Sequence, residues 1–161
     1  MNTQVTIFKN IKETETPFFK EVSFILKRIK EGKSKSLIKE IRKEKDKTAR
    51  NDLKKNLPAI CFSGKFNKRS DSSLVEHSGI ICLDFDGYQK QKDMLQDKEM
   101  FINNKFVLSV FVSPSGNGLK VLIKIPSDAD NHIKYFTSLK TEFDSTYFDT
   151  TSKNISRVCY E

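Results

Sequence analysis

Five residues near the middle of the chain read Leu83-Asp84-Phe85-Asp86-Gly87. In an extended strand, residues i and i+2 share a face. Asp84 and Asp86 therefore project to one side, Leu83 and Phe85 to the other. Two carboxylates about 6–7 Å apart at Cα repel when both are ionised, so one takes up a proton or a cation settles between them. An all-oxygen donor pair suits a hard divalent ion, Mg2+ or Mn2+. The bland alternative is a strand ending in turn-forming residues, because Asp-Gly is itself a turn signal. The pair follows the apolar run Ile80-Ile81-Cys82-Leu83, and that context favours metal binding.

A second constellation is Ser113-Pro114-Ser115-Gly116-Asn117-Gly118-Leu119-Lys120. Gly116 and Gly118 permit positive φ and let backbone N–H groups face one point. Ser113 and Ser115 add hydroxyls, and Lys120 adds a fixed charge, so the loop is a candidate cradle for phosphate oxygens. It joins two strands and lacks the Walker spacing, so it is no P-loop. The third is Asp149-Thr150-Thr151-Ser152-Lys153-Asn154-Ile155-Ser156-Arg157. Asp149 is a candidate third metal ligand there, and Arg157 a bidentate phosphate contact. Each motif also has an ordinary reading, as a Gly-rich hairpin or a capped turn with a surface Arg. His77 and His132 have no metal-like spacing with a cysteine. His77 reads as a loop residue ahead of the Asp strand, with a minor site role open to it, and His132 as the start of a helix.

Those residues need elements to carry them. Val5 to Phe8 reads as a first strand. Thr16-Pro17 reads as N-cap and first turn of a helix carrying Phe18, Val22, Ile25, Leu26 and Ile29, stopped by Gly32. A second, largely charged helix is expected from about Ser36 to Lys55. Beyond Pro58 the pattern turns to strands: Ala59 to Phe62, then a polar loop at Asn67 to Ser73, then Ile80 to Phe85, buried on both faces. Gln89 to Asn104 and Asn131 to Phe143 read as helices. Phe106 to Ser113 and Leu119 to Ile125 read as a hairpin around the Pro/Gly-rich turn, and Ile155 to Tyr160 as a last strand. The sequence stops inside this apolar segment, which predicts that the protein continues beyond it. The expected division is a basic, mainly helical part at 1–57 and a core at 58–161, within one continuous domain.

Composition bounds the partners. The chain has 161 residues, 37% of them apolar and 13 of them Phe, enough for one core. Residues 1–70 hold 19 Lys and Arg against 8 Asp and Glu, a net +11. Residues 71–161 hold 10 against 13, a net −3, which returns the overall +8. A basic half points to a polyanion, nucleic acid or nucleotide, though solvated Lys-rich helices give the same count. No apolar run approaches membrane-spanning length, and no secretory signal is visible. Three cysteines without CxxC spacing exclude a disulfide framework and a Cys-based zinc site, and they read as buried apolar residues. A cytoplasmic protein with no membrane partner is expected.

In order, the motifs resemble the archaeo-eukaryotic primase superfamily: strand with Asp-x-Asp, helix, hairpin with a Ser/Gly turn and a basic residue, helix, then Asp before a strand. The phrases ICLDFDG, VSPSGNGLKVLIKI and DTTSKNISRVCYE are similar to the N-terminal domain of the VirE family, a primase–polymerase-like domain, over roughly residues 56–161. The resemblance implies an α+β fold, with an RRM-like, antiparallel-rich sheet and helices on one face. It implies Asp84, Asp86 and Asp149 as metal ligands and catalytic residues for Mg2+ or Mn2+. It implies Ser113, Ser115, Gly116, Gly118, Lys120 and Arg157 as nucleotide-phosphate contacts. Lys120 stands where that pattern has a histidine, and Lys meets phosphate only as a point charge. The implied function is metal-dependent nucleotidyl transfer from nucleoside triphosphates on single-stranded DNA, in a mobile-element replication protein that also carries a helicase-type ATPase domain. Two rival functions are open: a non-catalytic nucleic-acid-binding RRM-like module, and a phosphatase of the haloacid-dehalogenase type with Asp84 as nucleophile.

Overall fold

The computed structural model describes residues 3–161 and is α+β, with five α-helices and antiparallel sheets. Strand β1 (Gln4–Phe8) leads into β2 (Phe18–Glu21), and then come α1 (Val22–Glu31), α2 (Lys35–Lys43) and α3 (Lys47–Lys54). β3 (Ala59–Cys61), β4 (Gly64–Phe66), β5 (Leu74–His77) and β6 (Ile80–Asp86) follow. The remainder is α4 (Gln91–Ile102), β7 (Val107–Val112), β8 (Gly118–Lys124), α5 (His132–Phe143) and β9 (Cys159–Tyr160). One sheet has the order β2-β1-β3-β9, a second β6-β8-β7, and β4 and β5 form a hairpin of their own.

The β6-β8-β7 sheet is apolar on both faces, as the continuous run in β6 predicts. One face presents Ile81, Leu83, Phe85, Leu119, Val121 and Ile123 to Met94 and Phe101 of α4 and Phe136 of α5. Ile80, Cys82 and Leu122 face the other way, onto Val5, Val22, Ile25, Ile60 and Phe62 from the N-terminal half. By strand alternation, Asp84, Asp86 and Lys120 continue this second face. The N-terminal half therefore packs against the sheet face that carries the carboxylates.

Several expectations from sequence are corrected. Phe18 to Glu21 is strand rather than the start of a helix: Phe18 pairs with Ile7 and Phe19 with Thr6, and α1 begins at Val22. Aromatic residues beside an available strand edge gain more from pairing than from a helical turn that only a Thr-Pro start recommends. The single helix expected to Lys55 is two helices. Asp46 breaks it by capping α3, its side chain accepting the Ala49 N–H at 2.8 Å. His77 is no loop residue; it ends β5 and is buried. Of the strand expected from Ile155, only Cys159–Tyr160 is paired, with Ala59 and Ile60. All three cysteines are free and buried, and burial pushes the Cys61 thiol up to about 12. No helix among the described residues is long and apolar enough to cross a membrane.

Candidate metal centre and its cationic border

Strand β6 pairs with β8 so that Asp84 stands opposite Lys120 and Asp86 opposite Gly118. The third carboxylate arrives by a short backbone splice. Phe85 bridges to Phe148 in antiparallel fashion. The Asp86 N–H donates to the Tyr147 carbonyl, and the Asp149 N–H donates to the Asp84 carbonyl, both at 2.8 Å. Phe148 anchors the splice by packing edge-on against Phe85 and Phe136, at 5.2 Å between ring centroids in each case. As a result, one carboxylate oxygen from each of Asp84, Asp86 and Asp149 lies within 4.8 Å of the other two. The three acidic residues expected to converge do so, and the cluster can hold a metal ion.

The burial is graded. Asp84 is 4% exposed, Asp149 half-buried and Asp86 exposed. Burial pushes the Asp84 carboxyl above the ordinary carboxylate range, although Lys120 pulls the other way. Lys120 Nζ sits 2.8 Å from Asp84 Oδ1. Burial works to lower the Lys120 pKa, and the Asp84 charge outweighs it, so the ammonium is held on. Burial also works upward on Asp149, but the hydroxyl and N–H of Thr151 and the charge of Arg157 outweigh it and keep that carboxyl low. Arg157 Nη2 lies 3.3 Å from Asp149 Oδ2 and 3.6 Å from Asp84 Oδ2. Lys120 and Arg157, expected as phosphate contacts, thus stand as the internal counter-charges of the acidic cluster.

The turn between β7 and β8 closes the site. Gly116 has φ +84, the left-handed conformation that favours glycine. Gly118 serves a different purpose. It lies in β8, and a Cβ there would collide with Asp86 Oδ1 and come within 2.7 Å of the Phe85 carbonyl oxygen. Ser113 is 4% exposed, and its Oγ has no hydrogen-bond partner among the described residues. It lies next to the same point, 3.1 Å from where that Cβ would be. A buried hydroxyl left unpaired costs about 1–3 kcal/mol, and its position beside Asp86 marks a place where a ligand oxygen or water would fit. Ser115 is half-buried on the turn.

Two residues of the basic half border this site, and no sequence signal set them apart from the other Lys and Arg. Arg42 of α2 donates from Nε to the Pro114 carbonyl at 3.2 Å and from Nη2 to the Ser113 carbonyl at 3.4 Å, clamping the turn. Lys54 of α3 is half-buried, within range of the charges of Asp86 and Lys120. Burial first, then the neighbouring Arg50, lowers its pKa. His77 and His132 are not part of the site. They bond to each other at the opposite end of β6, where Gly79 precedes the strand.

Residues 52–160 match the family model described as BT4734-like, N-terminal domain. That span is more than half of the chain, and the chain belongs to this family. The match corrects the expected VirE and archaeo-eukaryotic primase assignment: the three motifs lie within the matched span, and the family they identify is the BT4734-like one. Neither the curated proteins nor the solved structures compared with the chain gave a match.

Proposed function

We propose that this member of the BT4734-like N-terminal domain family is a metal-dependent nucleotidyl-transfer domain that works on single-stranded nucleic acid with Mg2+ or Mn2+. The observation that carries the reading is the meeting of Asp84, Asp86 and Asp149 from two separate segments within 4.8 Å, beside a turn whose buried Ser113 hydroxyl has no partner among the described residues. All three ligands are hard oxygens, and the exposed edge at Asp86 leaves room for substrate, as Mg2+ and Mn2+ sites require. A divalent ion bound there would supply Lewis-acid charge to a phosphoryl group and lower the pKa of an attacking hydroxyl.

The protein's own part is position and charge, the main needs of phosphoryl transfer. Asp84 is fixed by Lys120 and by the strand beneath it. Asp149 is fixed by the Asp84 carbonyl and by Thr151, whose N–H and hydroxyl donate to Asp149 Oδ1 at 2.9 and 2.7 Å. Arg157, already at the rim, is placed to meet charge that develops on a phosphate. The basic N-terminal half would hold the template by its phosphates, with little sequence preference. The near-complete burial of Asp84 against Lys120 favours a ligand over a phosphatase nucleophile. Of Phe62, Phe85 and Phe111, the strand aromatics that a purely binding module would offer for base stacking, the first two are buried and Phe111 is half-buried.

The test is nucleotide incorporation on a single-stranded template with Mg2+ or Mn2+. The wild-type chain is expected to synthesise, and Asp84→Asn and Asp86→Asn to lose about 100-fold or more. Asp86 is exposed, so its variant separates chemistry from folding. Synthesis that survives both changes, or template binding by the wild type with no synthesis, overturns the reading.

A further inference from the structure

The basic face of α3 is more than a solvated stripe. Lys47, Arg50 and Lys54 recur at i, i+3 and i+7 and so share one side of the helix, away from Ala49 and Leu53. Arg50 and Lys54 are half-buried. Among the described residues Arg50 Nε is buried without a hydrogen-bond partner, and neither side chain forms an ion pair. Half-buried like charges on one helix face are unfavourable by themselves, so this row is a surface that an anion would complete.

α3 packs against α2, whose Arg42 clamps the Ser113–Pro114 turn beside the acidic cluster, and this brings Lys54 within range of the charges of Asp86 and Lys120. The charge balance of that cluster says which anion. Three carboxylates set against Lys120 and Arg157 leave one net negative charge. That is little attraction to set against the hydration of a divalent cation. A ligand that brings its own negative charge with the cation removes the deficit, and its surplus charge is met by the α3 row.

We propose that Lys47, Arg50 and Lys54 are the polyphosphate-binding half of this site and take the terminal phosphates of a nucleoside triphosphate whose cation is shared with Asp84, Asp86 and Asp149. The proposal rests on the nucleotidyl-transfer reading and adds the substrate's tail and the residues that hold it. It makes cation and polyphosphate binding mutually dependent, with Arg50 suited to bidentate contact and the two lysines acting as point charges.

The experiment is calorimetric titration of the full chain with Mn2+ alone and with equimolar Mn2+–tripolyphosphate. The wild type is expected to bind the complex at least tenfold more tightly than Mn2+ alone. The double variant Arg50→Gln/Lys54→Gln is expected to lose at least tenfold for the complex, with no loss for Mn2+ alone, whereas the charge-preserving Lys54→Arg keeps wild-type affinity. A double variant that binds the complex as the wild type does overturns the assignment of the row. Unchanged binding of the complex by Asp86→Asn instead overturns the nucleotidyl-transfer reading beneath it.

Discussion

At the scale of single residues, the three carboxylates meet because backbone bonds join their segments and one position in β8 carries no side chain. Strand alternation alone places Asp84 and Asp86 on one side of β6, and the structure agrees. Asp149 could be picked out as an acidic residue ahead of an apolar stretch, but its partnership with Asp84 depends on a backbone bond between segments 65 residues apart in sequence, 84 to 149. Gly118 is instructive. A glycine beside a turn suggests conformational freedom, yet this one is needed for space, because β6 and Asp86 press against it. Gly118→Ala is therefore expected to push Asp86 out of line. Overpacking of this kind costs about 1–3 kcal/mol, so the variant should melt several degrees lower and bind Mn2+ about tenfold more weakly. A melting curve and a Mn2+ titration check both, and an alanine variant with unaltered Mn2+ affinity would remove Asp86 from the ligand set.

At the scale of elements, strongly patterned segments read correctly: β6, the β7–β8 hairpin, α4 and α5. The polar, short β4–β5 hairpin carried no periodic signal, and α2 and α3 merged because charge masks the break at Asp46. Arg50 and Lys54 could not be singled out, since their value comes from where α3 docks. The join between β5 and α5 was also hidden. The Gly79 N–H donates to His77 Nδ1 at 3.1 Å, so His77 Nε2 carries the proton and donates to His132 Nδ1, also at 3.1 Å. Burial lowers both pKa values; for His132 the neighbouring His77 adds to it, bringing that ring to about 4. The unfolded chain takes up protons near pH 6.5 and the folded chain resists them. The pair's contribution is thus complete above pH 6.5 and fades as pH falls towards 4, by about 1–3 kcal/mol. Melting temperatures measured between pH 7.5 and 4.5 should drop more steeply for the wild type than for His132→Asn. Parallel curves would show that the pair does not govern acid stability.

At the scale of the whole molecule, the division at residue 57 drawn from composition marks a change of texture inside one fabric. β1 lies between β2 and β3, β3 lies between β1 and β9, and α1 fills the core beneath Cys82 and Leu122. Glu161 makes a second seam: its N–H donates to the Pro58 carbonyl at 3.0 Å, and its buried carboxylate accepts from Arg28 of α1 at 2.9 Å and from Ser34 at 2.6 Å. The family match opens within α3, yet the strands β1 and β2 and the helix α1 before it share a sheet and a core with the rest. A protein reduced to residues 58–161 would expose one face of the β6-β8-β7 sheet and leave β3 with a bare edge. It should lack a cooperative thermal transition, which circular dichroism would register; a sharp melt would show that the C-terminal part folds unaided.

The sheet that gathers β1, β3 and β9 also sets a timetable. On the ribosome the cationic half emerges before Asp149, Arg157 and the closing strand are made. Until residue 160 has left the exit tunnel, the nascent polypeptide carries its basic surface without β9 to close the sheet behind the acidic cluster.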